Sequence, residues 1–176
     1  RQEIVTKRLN HLKKVLNNIR NKSLLISVPL GGVDGLNWAA ADGRIDLITL
    51  NGTSGTKSLR ATTARLAAES DTFLEVIISP LISDIRLTRS KMLKYYREAV
   101  SIAKSVEMPV VLSSGAKEPI QMRAPMALVH IGQMLGLDFH SARDAVYKLP
   151  FALLERNKRK ISPDMIVPGV EVVTRG

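Results

Sequence analysis

The chain has 176 residues, 45% of them hydrophobic, so it is long enough to bury a sizeable core, and one domain is expected. Its 26 Lys and Arg against 16 Asp and Glu give a formal charge of +10, an excess that favours polyanionic partners, nucleic acid first. The absence of cysteine excludes disulfides, thiolate metal sites and thiol nucleophiles. No apolar run approaches the roughly 20 residues that span a bilayer, so no membrane partner is expected. No signal-like segment is visible, which points to a cytoplasmic protein.

Five short runs rich in Val, Ile and Leu read as strands: IVTK (4 to 7), LLISVPL (24 to 30), DLITL (46 to 50), FLEVIIS (73 to 79) and VVLSS (110 to 114). Helical patterns fill 8 to 20, 33 to 41, 57 to 69 and 88 to 106, then 125 to 136 and 139 to 157, with a break near Pro150. Strands of this composition alternating with helices predict repeated βα units around a parallel sheet buried on both faces, hence an α/β barrel or a doubly wound sheet. A closed barrel of this type has about eight strands. With fewer here, and Arg1 rather than Met in first place, the chain is expected to lack the barrel's N-terminal strands. Residues 1 to 160 are expected to form one barrel-like domain. Residues 161 to 176, with two prolines and two glycines, read as an extended C-terminal tail.

A barrel of this kind carries its active site at the C-terminal ends of its strands. The loops there offer little: Asp34 in GGVDG, Lys57 in NGTSGTK and Asp84 in SPLISD. His11 and His130 fall within helical patterns and His140 near a helix start, so the closely spaced His and carboxylate ligands of a catalytic metal are not seen. Ser113 and Ser114 lack the G-x-S-x-G elbow of a nucleophile and read as polar strand-end residues. NGTSGTKS, with Lys57 just before a helix, would suit an anion, but its glycines are too close together for the P-loop pattern, and a plain loop ending in a helix cap is the competing reading.

The segment TRSKMLKYYREAVSIAKSV (88 to 106) is more informative. At about 100° per residue, Met92, Tyr95, Tyr96, Ala99, Val100, Ile102, Ala103 and Val106 share one sector, which predicts a core face. Arg89, Lys91, Lys94, Arg97 and Lys104 lie opposite, with Glu98 as the one acidic interruption. A solvated outer face would explain this helix alone. The same bias recurs, however, in LERNKRK (154 to 160), with four basic residues against one acidic, and in residues 1 to 22, with seven against one. Cations spaced along a surface without competing acids suit phosphate contact.

The stretch from Leu112 to Val146 carries Ser113-Ser114-Gly115-Ala116, then Lys117-Glu118-Pro119, Arg123-Ala124-Pro125, Gly136-Leu137 and Ala142-Arg143. In this order and spacing it resembles the C-terminal part of the ribonuclease P protein component 3 family. These are protein subunits, in archaea and eukaryotes, of the RNA-based enzyme that trims the 5′ leader from precursor tRNA. The upstream ISP (78 to 80) is similar to a further family element, and the likeness extends over residues 1 to about 157. It implies a TIM-barrel-like fold related to amidohydrolase-type phosphoesterases without their His ligands. Family members commonly have an Asp two residues after the proline, where this chain has Ala127.

The resemblance further implies a non-catalytic subunit that stabilises the catalytic RNA, with endonuclease chemistry carried by that RNA and its Mg ions. The protein itself is expected to hold no cofactor and no metal. Its partners would be the ribonuclease P RNA, precursor tRNA indirectly, and other protein subunits, especially protein component 2. The residues expected to contact RNA or a partner are Lys57, Arg60, Arg89, Lys91, Lys94, Arg97, Ser113, Ser114, Lys117, Arg123, Arg143, Arg156 and Lys158. Arg123 has a plainer reading, a helix-start arginine held by a carbonyl. Two other functions stay open: a metal-dependent phosphoesterase-type barrel enzyme whose catalytic residues lie upstream, and a general RNA-binding barrel outside ribonuclease P.

Overall fold

The computed structural model describes residues 1–31, 35–52, 58–83, 86–161, 165–167 and 170–171. Five strands, β1 (Gln2–Glu3), β2 (Ile26–Pro29), β3 (Leu47–Leu50), β4 (Phe73–Ile77) and β5 (Val110–Ser113), pair in parallel in the order β1-β2-β3-β4-β5. That order decides between the two architectures left open by the pattern. A doubly wound sheet reverses its strand order at a switch point, whereas this sheet never reverses. Because β-to-β crossovers are right-handed, an unreversed order places the connecting helices on one side, as in an arc of an α/β barrel.

The helices between the strands are α1 (Leu9–Ile19), α2 (Leu36–Ala41), α3 (Ala61–Glu69), the short α4 (Ser79–Ser83) and α5 (Arg86–Ser105). After β5 come α6 (Pro125–Met134), α7 (Phe139–Val146) and α8 (Lys148–Ile161). Short 3-10 turns occupy Arg20–Lys22 and Pro119–Gln121. The strand registers align Ile48, Leu74 and Val110, then Leu50, Val76 and Leu112, on the outer face. There they pack with Ala64 and Ala67 of α3, Tyr96, Ala99, Val100 and Ala103 of α5, and Val129 and Ala142 of α6 and α7. Ile26 and Val28 meet Leu12 and Leu16 of α1 in a second cluster.

The inner face is shared by apolar and polar groups. At its N-terminal end Leu47, Phe73 and Val111 are covered by Leu153 of α8. Farther along, Arg1 donates to Glu75, with 2.6 Å from Nη2 to Oε2, and Thr49 Oγ1 donates to the same carboxylate oxygen at 2.9 Å. Glu75 is almost fully buried, and its oxygens are paired and hydrogen-bonded, as burial of a carboxylate requires.

Several boundaries differ from the sequence reading. The first strand pairs two residues earlier than IVTK: Gln2 N donates to Leu25 O and Ile4 N to Ser27 O, while Val5 is exposed. The long C-terminal helix breaks at Tyr147, not at Pro150. Pro150 sits in the first turn of α8, where a missing N–H costs nothing. The tail carries two short antiparallel strands, β6 (Met165–Val167) and β7 (Val170–Glu171).

Candidate nucleic-acid interface

Helix α5 has the two faces its periodicity predicts. Met92, Tyr96, Ala99, Val100 and Ala103 are buried, whereas Arg89, Lys91, Lys94, Arg97 and Lys104 are exposed. The Tyr96 hydroxyl donates to Ile77 O at 3.0 Å and lies 3.4 Å from Leu50 O, tying the helix to the ends of β4 and β3. Burial, with Tyr95 beside it, pushes the Tyr96 hydroxyl's pKa upward. Tyr95 is pushed up to about 12, first by burial and then by Glu98. Both rings lie on the core side of the helix, Tyr96 buried and Tyr95 partly so. Lys104 Nζ donates to Gly136 O at 2.8 Å and Arg89 Nη2 to Ile82 O at 3.3 Å. Among the described residues no carboxylate pairs with Lys91, Lys94 or Arg97.

The stretch after β5 is a turn held by its own backbone. Ser113 O and Ser114 O accept from Ile78 N and Ser79 N at 2.9 and 3.0 Å, and Ser114 Oγ accepts from Ala116 N at 3.3 Å. Gly115 has φ +63°, and a Cβ there would collide with Ile77 and sit 2.7 Å from Ser79 Oγ. Only glycine lets the chain pass so close to the end of β4. The two serines are half-buried and support this crossing. In the sequence Gly115 is only one letter of a motif; the collision that requires it comes from a strand more than 30 residues earlier.

Lys117 and Arg123 are exposed on this loop. Arg123 Nη1 donates to Ile120 O at 3.2 Å and Met122 O at 3.0 Å, the carbonyl-held arrangement of the plainer reading, with Pro125 opening α6 as expected. Around it Ile120, Met122 and Met126 are 81%, 66% and 43% exposed. Sequence reasoning misses this apolar rim, because isolated apolar residues in a loop carry no periodic signal. Arg143 lies exposed on α7, and Arg60 is the exposed N-cap of α3 without a side-chain cap bond. Lys57, Asp34 and Asp84 lie outside the described residues.

Arg156 belongs to a different end of the molecule and to the fold itself. Its Nη1 donates to Asp71 O at 2.6 Å, its Nη2 to Asp46 Oδ1 at 3.2 Å, and its guanidinium lies 5.5 Å from the Phe73 ring centre. Asp46, just before β3 and wholly buried, also accepts from Arg20 Nη1 and Ile26 N at 2.7 and 2.8 Å. Lys158 is exposed and pairs with Glu155 at 2.7 Å. The expected contact residues therefore divide among the outer face of α5, the C-terminal end of the sheet and its N-terminal end.

Among the described residues no three His, Cys, Asp or Glu side chains converge as metal ligands. His11 is exposed beside Thr6, and His130 beside Gln133, and His140 stacks edge-on against Phe139. No helix of the described residues is long and apolar enough to cross a membrane.

Comparison with known proteins places this arrangement. Residues 1–162 match the family model for RNase P subunit p30. The chain belongs to this family. As a p30 member it is a ribonuclease P protein subunit. Ribonuclease P protein component 3 of Methanosarcina barkeri is 27% identical over 175 residues, covering 99% of this chain and 72% of that protein. The same component of Methanosarcina acetivorans is 24% identical, covering 97% and 71%. A chain in the cryo-EM structure of archaeal ribonuclease P with mature tRNA superposes with a TM-score of 0.84 at 21% identity, over 98% of this chain and 74% of that one. The p30 fold is thus the one seen here, a parallel sheet with helices outside.

Proposed function

We propose that this subunit acts by binding and stabilising the catalytic RNA of ribonuclease P during removal of the 5′ leader from precursor tRNA, without performing the hydrolysis itself. The observation that carries the reading is the outer face of α5, where Lys91, Lys94 and Arg97 are exposed with no carboxylate pairing them among the described residues. Cations in that condition exchange counterions for phosphates without first breaking an internal pair. The metal ions of the reaction would sit on the RNA, and the protein would hold none. The exposed Ile120, Met122 and Met126 beside Arg123 suit contact with another protein subunit, for which protein component 2 is the expected partner.

The test is reconstitution. An archaeal ribonuclease P assembled from its RNA and protein subunits, with this chain as the p30 component, should cleave precursor tRNA better than the same mixture without it. The purified chain should show no turnover of phosphoesters or precursor tRNA with Mg²⁺, Mn²⁺ or Zn²⁺. Metal-dependent turnover by the chain alone, abolished by Asp34→Asn or Asp84→Asn, would favour the phosphoesterase reading instead.

A further inference from the structure

The N-terminal end of the sheet holds a cationic groove built from two segments far apart in the sequence. Asn21, Lys22 and Leu24, on and after the 3-10 turn that follows α1, face Lys158 and Ile161 of α8 across a groove of about 360 Å³. Its walls are fixed from behind. Asn157, fully buried, donates to Leu24 O at 2.9 Å, and Arg20 and Arg156 reach Asp46 from the two walls.

The charge of this lock is not balanced. One carboxylate serves two guanidiniums, and Arg20 Nη2 is buried with no hydrogen-bond partner. Half-buried Lys160 stands in the same field: burial first, then Arg156, favour its neutral form, against the pull of Asp46. Among the described residues no carboxylate lines the groove itself. The Glu155–Lys158 pair at its rim is solvent-exposed on both sides, a kind of pair that contributes little and yields readily to another anion.

We propose that this groove is a phosphate site for the RNA backbone, with Lys22 and Lys158 contacting the phosphodiester and Leu24 and Ile161 forming an apolar surface for the sugar. The proposal rests on the RNA-binding reading above and adds a defined second contact, away from α5. One feature favours phosphate over an acidic protein: the rim presents ammonium groups, which bind phosphate as point charges, on the two segments that are rich in cations and poor in acids, residues 1 to 22 and 154 to 160.

The test compares two double variants of the whole chain that lose the same charge. One carries Lys22→Gln and Lys158→Gln. The other carries Arg65→Gln and Lys148→Gln, on helices α3 and α8 away from the groove. Binding of a short hairpin RNA is followed by fluorescence anisotropy across a salt series, with circular dichroism confirming that both fold. Each phosphate that is no longer neutralised removes close to 0.9 from the slope of log K against log salt for a duplex. The groove variant should therefore lose about 2 in slope, while the control keeps the wild-type slope. Equal losses in both variants would overturn the groove and leave general RNA binding standing. If the wild-type chain does not bind the hairpin, the RNA reading itself fails. If poly-glutamate binds and the groove variant alone loses it, the site belongs to an acidic protein and the proposal is wrong.

Discussion

Arg156 on the last helix reaches Asp46, with 3.2 Å between Nη2 and Oδ1, although 110 residues separate them in the chain. Arg20 approaches the other carboxylate oxygen, so Asp46, just before β3, joins the 3-10 turn after α1 to α8 at one buried point. Asp46→Ala should destabilise the fold by about 3–5 kcal/mol, because it leaves two guanidiniums facing a buried void. Urea unfolding of the variant and wild type measures this. A loss below about 1 kcal/mol, the size expected for a surface pair, would show that the lock is solvated in solution.

Gly115→Ala should cost about 1–3 kcal/mol, since φ +63° disfavours any side chain and the new methyl collides with Ile77. Gly136 supplies the contrast. It also has positive φ, at +101°, but nothing lies within 4 Å of a Cβ there, so Gly136→Ala carries the backbone strain alone and should cost less. The same unfolding measurement ranks the two; the reverse order would mean that the turn after β5 relaxes around the methyl.

Asp138 caps α7 by accepting from Ser141 Oγ at 2.6 Å and Ser141 N at 2.9 Å, and these bonds hold its carboxyl down at about 2. An unfolded aspartate titrates near 3.9. A lowered folded value means that the cap stabilises the protein above pH about 4 and loses that contribution as pH falls toward about 2. Asp138→Asn keeps an acceptor but does not titrate. Melting temperatures of the two proteins should differ at neutral pH and converge at the acid end. A constant offset across that range would remove the titration from the account.

Charge on α5 and geometry at Arg123 should separate in reconstituted ribonuclease P. Replacing Lys91, Lys94 and Arg97 by Gln should weaken RNA binding in proportion to charge removed, by up to about 0.9 in salt slope for each phosphate left without its cation. Arg123→Lys and Arg143→Lys keep the charge and should leave that slope alone while impairing precursor-tRNA cleavage, because lysine cannot reproduce a two-bond guanidinium contact. Wild-type cleavage by both conservative variants would confine the function of this surface to charge.

The sequence by itself determined the α/β alternation, the core and solvent faces of α5, and the basic excess. Each is a local pattern: a period of 3.6 in Met92, Tyr96 and Ala99, a run of Val and Ile, a count of charges. It also carried the family likeness, through motifs whose spacing is contiguous. Only the tertiary structure decided that the sheet is an unreversed arc, that Gly115 must be glycine because of Ile77, and that Arg156 is engaged by Asp46 while Lys22 and Lys158 face one groove. Those relations join residues that the chain holds far apart, and a charged side chain reads the same in sequence whether it meets solvent or a buried carboxylate. Where it ends up depends on which strands pair and which helix closes over them.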